Sequence, residues 1–200
     1  MGLFPFNTNW AKKAQTDVAG TKNDLFSVVS YSCAPDTLDA DGYVTIVDMF
    51  VGAYTLLLSA PGDSTARNVT VTHVDTVATD TLGTVDVVGT DLNGDALLET
   101  ITPVANSTVQ GTRAFKTVTS ITGVGWVTSS GVDFDHVTFG WGDLVGLPDM
   151  LIADTTLIGI FNAVREAIAA VTFSATVLGL NTVDMTTALD GSDVVIYYIV

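Results

Sequence analysis

The chain has 200 residues, 48% hydrophobic and only 14% charged, a balance that excludes a largely disordered protein. Acidic residues outnumber basic ones by 22 to 7, for a formal net charge of −15, which repels phosphate backbones and argues against direct nucleic-acid binding. Cys33 is the single cysteine, so an intrachain disulfide framework and a cysteine-based zinc site are excluded.

The first 22 residues form a leader that differs from the rest of the chain, since three of the seven basic residues fall within it. The leader lacks a basic region followed by an apolar core, so it is not predicted to be a signal peptide. No apolar run in the chain reaches membrane-spanning length. A basic, aromatic segment on an acidic body indicates an arm that binds another protein, although packing of the leader on its own domain stays open. The predicted partner-binding residues are Phe4, Phe6, Trp10, Lys12 and Lys13.

After the leader, valine and threonine dominate the sequence, and both residue types favour strands because they are β-branched. The run at 43–58 is so apolar that its periodicity does not distinguish one or two buried strands from a helix. A Pro-Gly-Asp-Ser turn cluster at 61–64 follows. It marks the predicted boundary between an N-terminal arm with the first β elements, residues 1–61, and a β-sandwich domain, residues 62–200.

Beyond this boundary, short strands follow one another at regular spacing. In the predicted strand at 132–141, the alternation of apolar side chains changes phase at His136 and Val137, which predicts a β-bulge there. One segment, 162–170, is also compatible with a short helix. The spacing, with Gly and Asn turns between strands, predicts a mainly β fold: an antiparallel, jelly-roll-like β-sandwich with an N-terminal extension. The predicted strands are 67–74, 84–90, 96–101, 114–121, 132–141, 156–164, 171–178 and 193–200.

The sequence Asp-Leu-Asn-Gly-Asp at 91–95 resembles the start of a calcium-binding loop. Its first, third and fifth positions carry side-chain oxygens, as an EF-hand loop requires. However, Ala96 replaces the glycine of position 6, Thr102 replaces the glutamate of position 12, and the flanking segments are strands rather than helices. Asn93 and Gly94 are residues that tolerate the positive φ angles of a hairpin turn. We therefore predict a hairpin turn, with a calcium site as the alternative.

The candidate catalytic groups are sparse. His73 and His136 are the only histidines, and either can be combined with Asp133 or Asp135 and a serine into a hydrolase triad. The chain has no GxSxG motif for the nucleophile and no HExxH zinc motif. The glycines of the segment at 139–148 are one residue too far apart for GxGxxG. We predict structural histidines, no catalytic residues, no cofactor and no metal, so the protein is not expected to be an enzyme.

Five segments of the sequence, taken together in their order along the chain, resemble a known group of proteins. Between residue 67 and residue 200 the chain resembles a group of small proteins encoded among the virion structural genes of tailed phages. The resemblance implies a virion component, namely a decoration or cement protein on the exterior of the head. It implies no catalytic or ligand-binding residue. The segments are ARNVTVT, VVGTDLNGDALLETI, VQGTRAFKTVTSI, FGWGDLVGLP and NTVDMTTALDGSDVVIYYIV.

The function expected from this resemblance is structural: the protein binds the outer surface of the phage capsid and stabilises contacts between major capsid subunits. The expected partners are the major capsid protein and further copies of the chain in a dimer or trimer, with no direct nucleic acid and no membrane. The expected location is the capsid surface, after assembly in the host cytoplasm. Many weak contacts on a symmetrical shell hold firmly through avidity.

Two alternative functions belong to other classes. A neck or tail structural protein would form rings or tubes instead of binding shells. A glycan-binding or lytic module would require Trp126 and Trp141 to be exposed over a groove, with carboxylates nearby.

Overall fold

A computed structural model describes residues 25–77, 79–128 and 134–200, together with a short strand at 13–15. The fold is mainly β, with 55% of residues in strands and 2% in helix, and one sheet curls into a half-barrel. Neighbouring strands are antiparallel in every pairing between described strands. The prediction of a mainly β, antiparallel fold is therefore confirmed.

The strands of the described residues are numbered in chain order. They are β1 Lys13–Gln15, β2 Leu25–Cys33, β3 Asp39–Asp48, β4 Gly52–Ala53, β5 Arg67–Val74, β6 Thr84–Thr90, β7 Ala96–Ile101, β8 Thr108–Phe115, β9 Thr117–Val124, β10 His136–Gly146, β11 Thr156–Phe161, β12 Val164–Glu166, β13 Ile168–Thr172, β14 Thr182–Met185 and β15 Val194–Ile199. A single turn of 3-10 helix, Leu178–Leu180, precedes β14.

Three sheets are formed by these strands. A five-stranded sheet has the order β1-β2-β15-β11-β12, and a four-stranded sheet has the order β4-β9-β6-β7. The six-stranded sheet has the order β13-β14-β10-β5-β8, and β3 also pairs with β10. Strand β10 is 11 residues long: its first half lies between β3 and β5, while its last two residues pair with β14. One strand thus connects two parts of the fold.

Two hydrophobic cores lie between the sheets. The first joins residues of the six-stranded and four-stranded sheets, such as Val71, Val87 and Phe139. The second joins the five-stranded sheet to β14 and the end of β10, and includes Val145 and Ile196. These five side chains are fully buried, and burying one such side chain contributes roughly 1.5–3 kcal/mol.

The predicted strands at 67–74, 84–90 and 96–101 agree with β5, β6 and β7 to the residue. The run at 43–58 contains strands rather than a helix, since it includes most of β3 and all of β4. The boundary at residue 61 stays a prediction. Strands β2 and β3, which precede it, pair with β15 and β10, which follow it.

Two predicted strands are wrong because the chain turns within them. At 114–121 the chain changes sheet: β8 ends before Lys116 and β9 begins after it, and the Lys116 N–H donates to the Thr90 carbonyl at 2.7 Å. At 156–164 the chain folds into the β11–β12 hairpin. Its two loop residues, Asn162 and Ala163, have φ angles of 49° and 61°, the geometry of a tight hairpin turn.

Three further predictions are corrected towards the end of the chain. The short helix at 162–170 is wrong, since the segment contains β12 and the start of β13. The strand at 171–178 is wrong, because β13 ends at Thr172. The bulge predicted near His136 and Val137 is shifted along the strand: against β3 the register changes between Val137 and Phe139 and again between Phe139 and Trp141, whereas against β5 it is regular from His136 to Trp141 and changes between Trp141 and Val145. Between Trp141 and Val145, the Gly142 carbonyl accepts a hydrogen bond from the Arg67 guanidinium instead of taking part in the ladder with β5.

Candidate interaction surface

The leader reaches the structure at the edge of the five-stranded sheet. Phe4, Phe6, Trp10 and Lys12 lie outside the described residues, whereas Lys13 begins β1 and pairs with Ser27 of β2. The partner-binding role of all five residues stays a prediction. What the structure adds is the place where this segment meets the fold, at the outermost strand of one sheet.

The inner face of the five-stranded sheet packs into the second hydrophobic core. Val194, Ile196 and Tyr198 of β15 are buried there, and Val29 and Tyr31 of β2 pack against them. Side chains of a strand alternate between the two faces of its sheet. The residues between these positions therefore lie on the opposite, outer face.

That outer face is apolar and partly exposed. Across it, Tyr197 of β15 is paired with Ile158 of β11, and Val195 is paired with Ile160. Outward positions of antiparallel sheets are usually polar, and contiguous exposed apolar patches mark interaction sites. We call this patch the outer apolar face. Its residues are Val28, Ile158, Ile160, Val195, Tyr197 and Ile199, each partly exposed.

Sequence reasoning missed this face, although a signal for it was present. Residues 194–200 read Val-Val-Ile-Tyr-Tyr-Ile-Val, an unbroken apolar run without the alternation of a half-solvated strand. Such runs are typical of strands that are covered on both faces. In the described part of the chain, the second core covers the inner face of β15, and the outer side chains of the run stay partly exposed.

Among the described residues, most of one edge of β2 has no partner strand. Ser27 exchanges two backbone hydrogen bonds with Val200, at 3.1 and 3.0 Å. In an antiparallel ladder the direction of the backbone groups alternates, so Val28, Ser30 and Ser32 direct their N–H and C=O groups away from β15. Strand β1 pairs only with residues 25–27. Within the described part of the chain, no strand pairs with this side of β2 beyond Ser27.

The Asp-Leu-Asn-Gly-Asp segment is a hairpin turn, as predicted. Thr90 of β6 pairs with Ala96 of β7, and the Asp91 carboxylate accepts hydrogen bonds from the N–H groups of Asn93 and Asp95, at 2.9 and 3.1 Å. Only Gly94 has a positive φ, of 86°, so Asn93 does not adopt the conformation that was expected. One Asp91 oxygen thus caps its own turn. The described residues contain no group of three acidic, histidine or cysteine side chains able to hold a metal ion.

The structure brings His73 and Asp135 together, but within the described residues no hydroxyl group joins them as the third member of a triad. His73 Nε2 lies 3.2 Å from Asp135 Oδ2, and both side chains are buried. Among the described residues, no hydroxyl group forms a hydrogen bond with either ring nitrogen of His73. The neighbouring surface is an open depression of about 420 Å³. Asp133 lies outside the described residues, and His136 forms an exposed pair with Asp48 at 3.5 Å.

Asp135 has a structural role at this position. Its Oδ1 accepts hydrogen bonds from the N–H groups of Thr76 and Val77, at 2.7 and 2.8 Å. Burial alone raises the pKa of Asp135, but these two N–H groups and His73 lower it below its ordinary value. A carboxylate held in this way fixes the loop after β5 to the beginning of β10. The pair of His73 and Asp135 therefore stabilises the fold by joining β5 and the loop after it to the start of β10.

The tryptophans that a glycan-binding module would use are packed inside the protein. Trp126 and Trp141 are only 4% and 6% exposed. The Trp141 indole donates to the Thr37 carbonyl at 3.1 Å and packs edge-on against Tyr43, with ring centroids 5.4 Å apart. The exposure that this alternative requires is contradicted by the structure.

A buried arginine was not recognised from the sequence as a key residue. Arg67 is fully buried, its Nε donates to the Gly142 carbonyl at 2.8 Å, and its Nη1 donates to the Asp36 carbonyl at 2.8 Å and to Asp63 at 3.3 Å. Burial lowers the pKa of Arg67, while Asp63 and Asp143 oppose that shift. A guanidinium so completely surrounded serves the fold, since solvent and partners do not reach it.

No protein-family model, curated protein or solved structure matches the chain. In the part of the chain that the structure describes, no helix has the length and apolar character needed to cross a membrane.

Proposed function

We propose that this protein is a structural component of a tailed-phage virion, which binds the outer surface of the capsid and stabilises contacts between major capsid subunits. The observation that carries the proposal is the outer apolar face of the five-stranded sheet, centred on the paired residues Tyr197 and Ile158. The candidate chemical groups are used internally: Asp91 caps a turn, and His73 pairs with a buried carboxylate.

The composition of the face suits a protein interface. Stable interfaces have an apolar centre, enriched in aromatic residues and depleted of charge, inside a polar rim. Here Tyr197 lies at the centre, between Ile158 of β11 and the exposed Ser30 of β2. Burying apolar surface contributes about 25 cal/mol for each Å² removed from water, and a shell that offers many equivalent sites multiplies this gain through avidity.

The charge of the chain supports the same proposal. A formal charge of −15 keeps copies soluble and apart before assembly. It also favours a partner surface that carries basic groups around an apolar site, because complementary charge speeds the encounter and selects the partner. Attachment would join neighbouring subunits and raise the barrier to rupture of the shell.

Co-sedimentation with expanded, undecorated heads of the phage that encodes the protein tests the proposal. The wild-type chain is compared with Tyr197→Lys on the outer apolar face. Leu98→Lys is the matched control, since Leu98 is 54% exposed and lies on the four-stranded sheet. We expect saturable binding of the wild type and of Leu98→Lys. Binding of Tyr197→Lys should be at least about thirtyfold weaker, because a hot-spot aromatic residue contributes about 2 kcal/mol or more.

Two outcomes would count against the proposal. Equal binding by the wild type and both variants would show that the outer apolar face does not contact the capsid. Absence of binding by every chain, with rings or tubes of the wild type visible by negative-stain microscopy, would favour the neck or tail alternative.

A further inference from the structure

We propose that Arg165 of β12 binds a carboxylate, from an aspartate or glutamate side chain, that the capsid subunit presents beside the outer apolar face. This contact belongs to the proposed function and rests on it. Three observations lead to it: the strand register that directs Arg165 to this face, the distribution of charge in the five-stranded sheet, and the tight turn that holds β12.

The register of the β11–β12 hairpin places Arg165 on the outer side of the sheet. Arg165 is paired with Ile160, and Ile160 is paired in turn with Val195. Residues directly opposite each other in an antiparallel pair lie on the same face, and Ile160 and Val195 belong to the outer apolar face. Arg165 is exposed and therefore forms the border of that face on the β12 side. Its Cα atom lies about 12 Å from that of Tyr197, two strand spacings across the sheet and two residues along it.

The charge on this face is opposite in sign to the net charge of the chain. The described strands of the five-stranded sheet contain a single acidic residue, Glu166. Glu166 is paired with Gly159, and its carboxylate accepts a hydrogen bond from the Thr187 N–H at 3.1 Å. Since neighbouring side chains of a strand alternate between the two faces, Glu166 and Arg165 are directed to opposite sides of the sheet. In a chain with 22 acidic and 7 basic residues, the outer apolar face thus borders on a cation.

Arg165 has no anionic partner within the described part of the chain. Other basic residues there are used internally: Arg67 is buried among carbonyl groups, and Lys116 donates to the Ser64 carbonyl. The planar guanidinium of an arginine matches a carboxylate in two parallel hydrogen bonds. Arginine and tyrosine are also among the residue types that contribute most to binding at protein interfaces. We therefore expect Arg165 and Tyr197 to act in one contact.

The turn between β11 and β12 holds Arg165 in this position. Its two residues, Asn162 and Ala163, have φ angles of 49° and 61°. Positive φ angles at both central residues define a tight turn whose twist matches the strands of a hairpin. An alanine adopts this conformation at an energetic cost, and strained residues of this kind are frequent at binding sites. Strand β12 is three residues long, so the turn fixes the register in which its middle residue, Arg165, is presented.

A charged side chain on an edge strand can also serve to prevent the edge-to-edge association of sheets. That role requires no partner, so it predicts that capsid binding is independent of Arg165. It also makes no distinction between arginine and lysine, since both carry the charge. The two explanations therefore differ in capsid binding.

Binding to expanded, undecorated heads is compared between the wild type, Arg165→Gln, Arg165→Lys and the control Arg113→Gln. Arg113 lies on β8 of the six-stranded sheet, and its replacement by glutamine changes the net charge by the same amount. A more negative chain is attracted more strongly by a partner surface with basic groups, so Arg113→Gln should bind as tightly as the wild type or more tightly.

We expect Arg165→Gln to bind at least about tenfold more weakly than the wild type, because the carboxylate of the partner loses its cation. The affinity of Arg165→Lys should lie between these two, since an ammonium group lacks the planar arrangement of donors. Equal binding by the wild type and Arg165→Gln, or an equal loss in Arg113→Gln, would overturn the contact and leave the proposed function standing. Absence of wild-type binding would overturn the proposed function and the contact together.

Cross-linking with a carbodiimide gives a second measurement, because this reagent joins an amine to a carboxylate that is in contact with it by an amide bond. Heads bound to Arg165→Lys are treated with the reagent, digested and analysed by mass spectrometry. Arg113→Lys is the matched control, since it introduces the same amine outside the outer apolar face. We expect a peptide containing position 165 to be linked to an aspartate or glutamate of the capsid subunit. Capsid peptides linked only through the native lysines would overturn the contact.

Discussion

Arg67 and Gly142 are joined across the irregular part of β10, where Arg67 Nε donates to the Gly142 carbonyl at 2.8 Å. The two residues are 75 positions apart in the chain. Three residues of β10, between Trp141 and Val145, lie opposite the single residue Asn68 between Val69 and Arg67 of β5. The chain therefore loops out of the ladder, and the guanidinium takes the carbonyl that the ladder leaves free. The strand shared by both cores is fixed at this point.

Replacement of Arg67 by methionine should strongly destabilise the fold. The change removes the cation from Asp63 and leaves the carbonyls of Gly142 and Asp36 without their donor. Breaking a buried ion pair from one side costs about 3–5 kcal/mol. We expect a loss of that size in the free energy of unfolding, measured with urea.

The control for this prediction is Arg165→Met, because Arg165 is exposed on β12. Surface substitutions of this kind usually change stability by less than about 0.5 kcal/mol. Equal effects of the two substitutions on the free energy of unfolding would show that the buried guanidinium does not stabilise the contact of β5 with Gly142 and Asp36.

Asp135→Asn should destabilise the protein at neutral pH and much less in acid. The carboxylate accepts hydrogen bonds from Thr76 and Val77, and hydrogen bonds to charged groups contribute about 1.5–3 kcal/mol. The pKa of Asp135 is lowered in the folded protein. Its stabilisation is therefore present above the unfolded value of about 3.9 and is lost as the pH falls through the lower folded-state pKa. Urea unfolding at several pH values checks this.

Asp48→Asn is the matched control for the pH dependence. Asp48 pairs with His136 at 3.5 Å, and its side chain is 61% exposed. Exposed pairs contribute about 0–1 kcal/mol. If the difference between wild type and Asp135→Asn is the same at pH 7 and pH 3, the charge on Asp135 is not the stabilising feature.

The sequence was sufficient for the strands that have local signals. The β6–β7 hairpin was predicted to the residue because alternating side chains flank an Asn-Gly turn. The β11–β12 hairpin was missed because its positive-φ residues are Asn162 and Ala163, and alanine rarely adopts that conformation. The change of sheet at Lys116 was missed because two apolar strands follow one another with a single residue between them.

The surface and the buried connections depend on partners that are distant in sequence. The outer apolar face exists because Tyr197 is paired with both Ile158 and Ser30, and neither pairing has a local signal. His73 and Asp135 were considered together from the sequence, but their 3.2 Å contact depends on the pairing of β5 with β10. The burial of Arg67 could not be predicted, since an arginine at the start of a strand is usually solvated.

Gly94→Ala should lower stability through backbone strain alone. Gly94 has a φ of 86°, and a side chain added there would meet no atom within 4 Å. The left-handed region costs an ordinary residue about 1–2 kcal/mol. We expect a loss of that size in thermal or urea unfolding.

Gly62→Ala is the control for Gly94→Ala. An added side chain at Gly62 would meet only an Asp36 oxygen at 3.9 Å, and its φ lies outside the left-handed region. This substitution should be neutral or slightly stabilising, because alanine restricts the unfolded chain. A neutral Gly94→Ala would mean that the turn adopts another conformation.

The thiol of Cys33 should react slowly in the folded protein. Burial raises its pKa from 9.0 to about 11, and Asp63 contributes to the increase, while a hydrogen bond from Tyr31 opposes it. The thiolate is the reactive form, so a pKa raised by about 2 reduces the reactive fraction at pH 8 roughly a hundredfold. The rate of labelling with a disulfide reagent, measured from pH 7 to pH 11 in native protein and in urea, checks this. We expect the native rate to rise through the whole range, whereas the unfolded rate should level off near pH 9. A native rate that also levels off near pH 9 would show that the thiol is exposed to solvent.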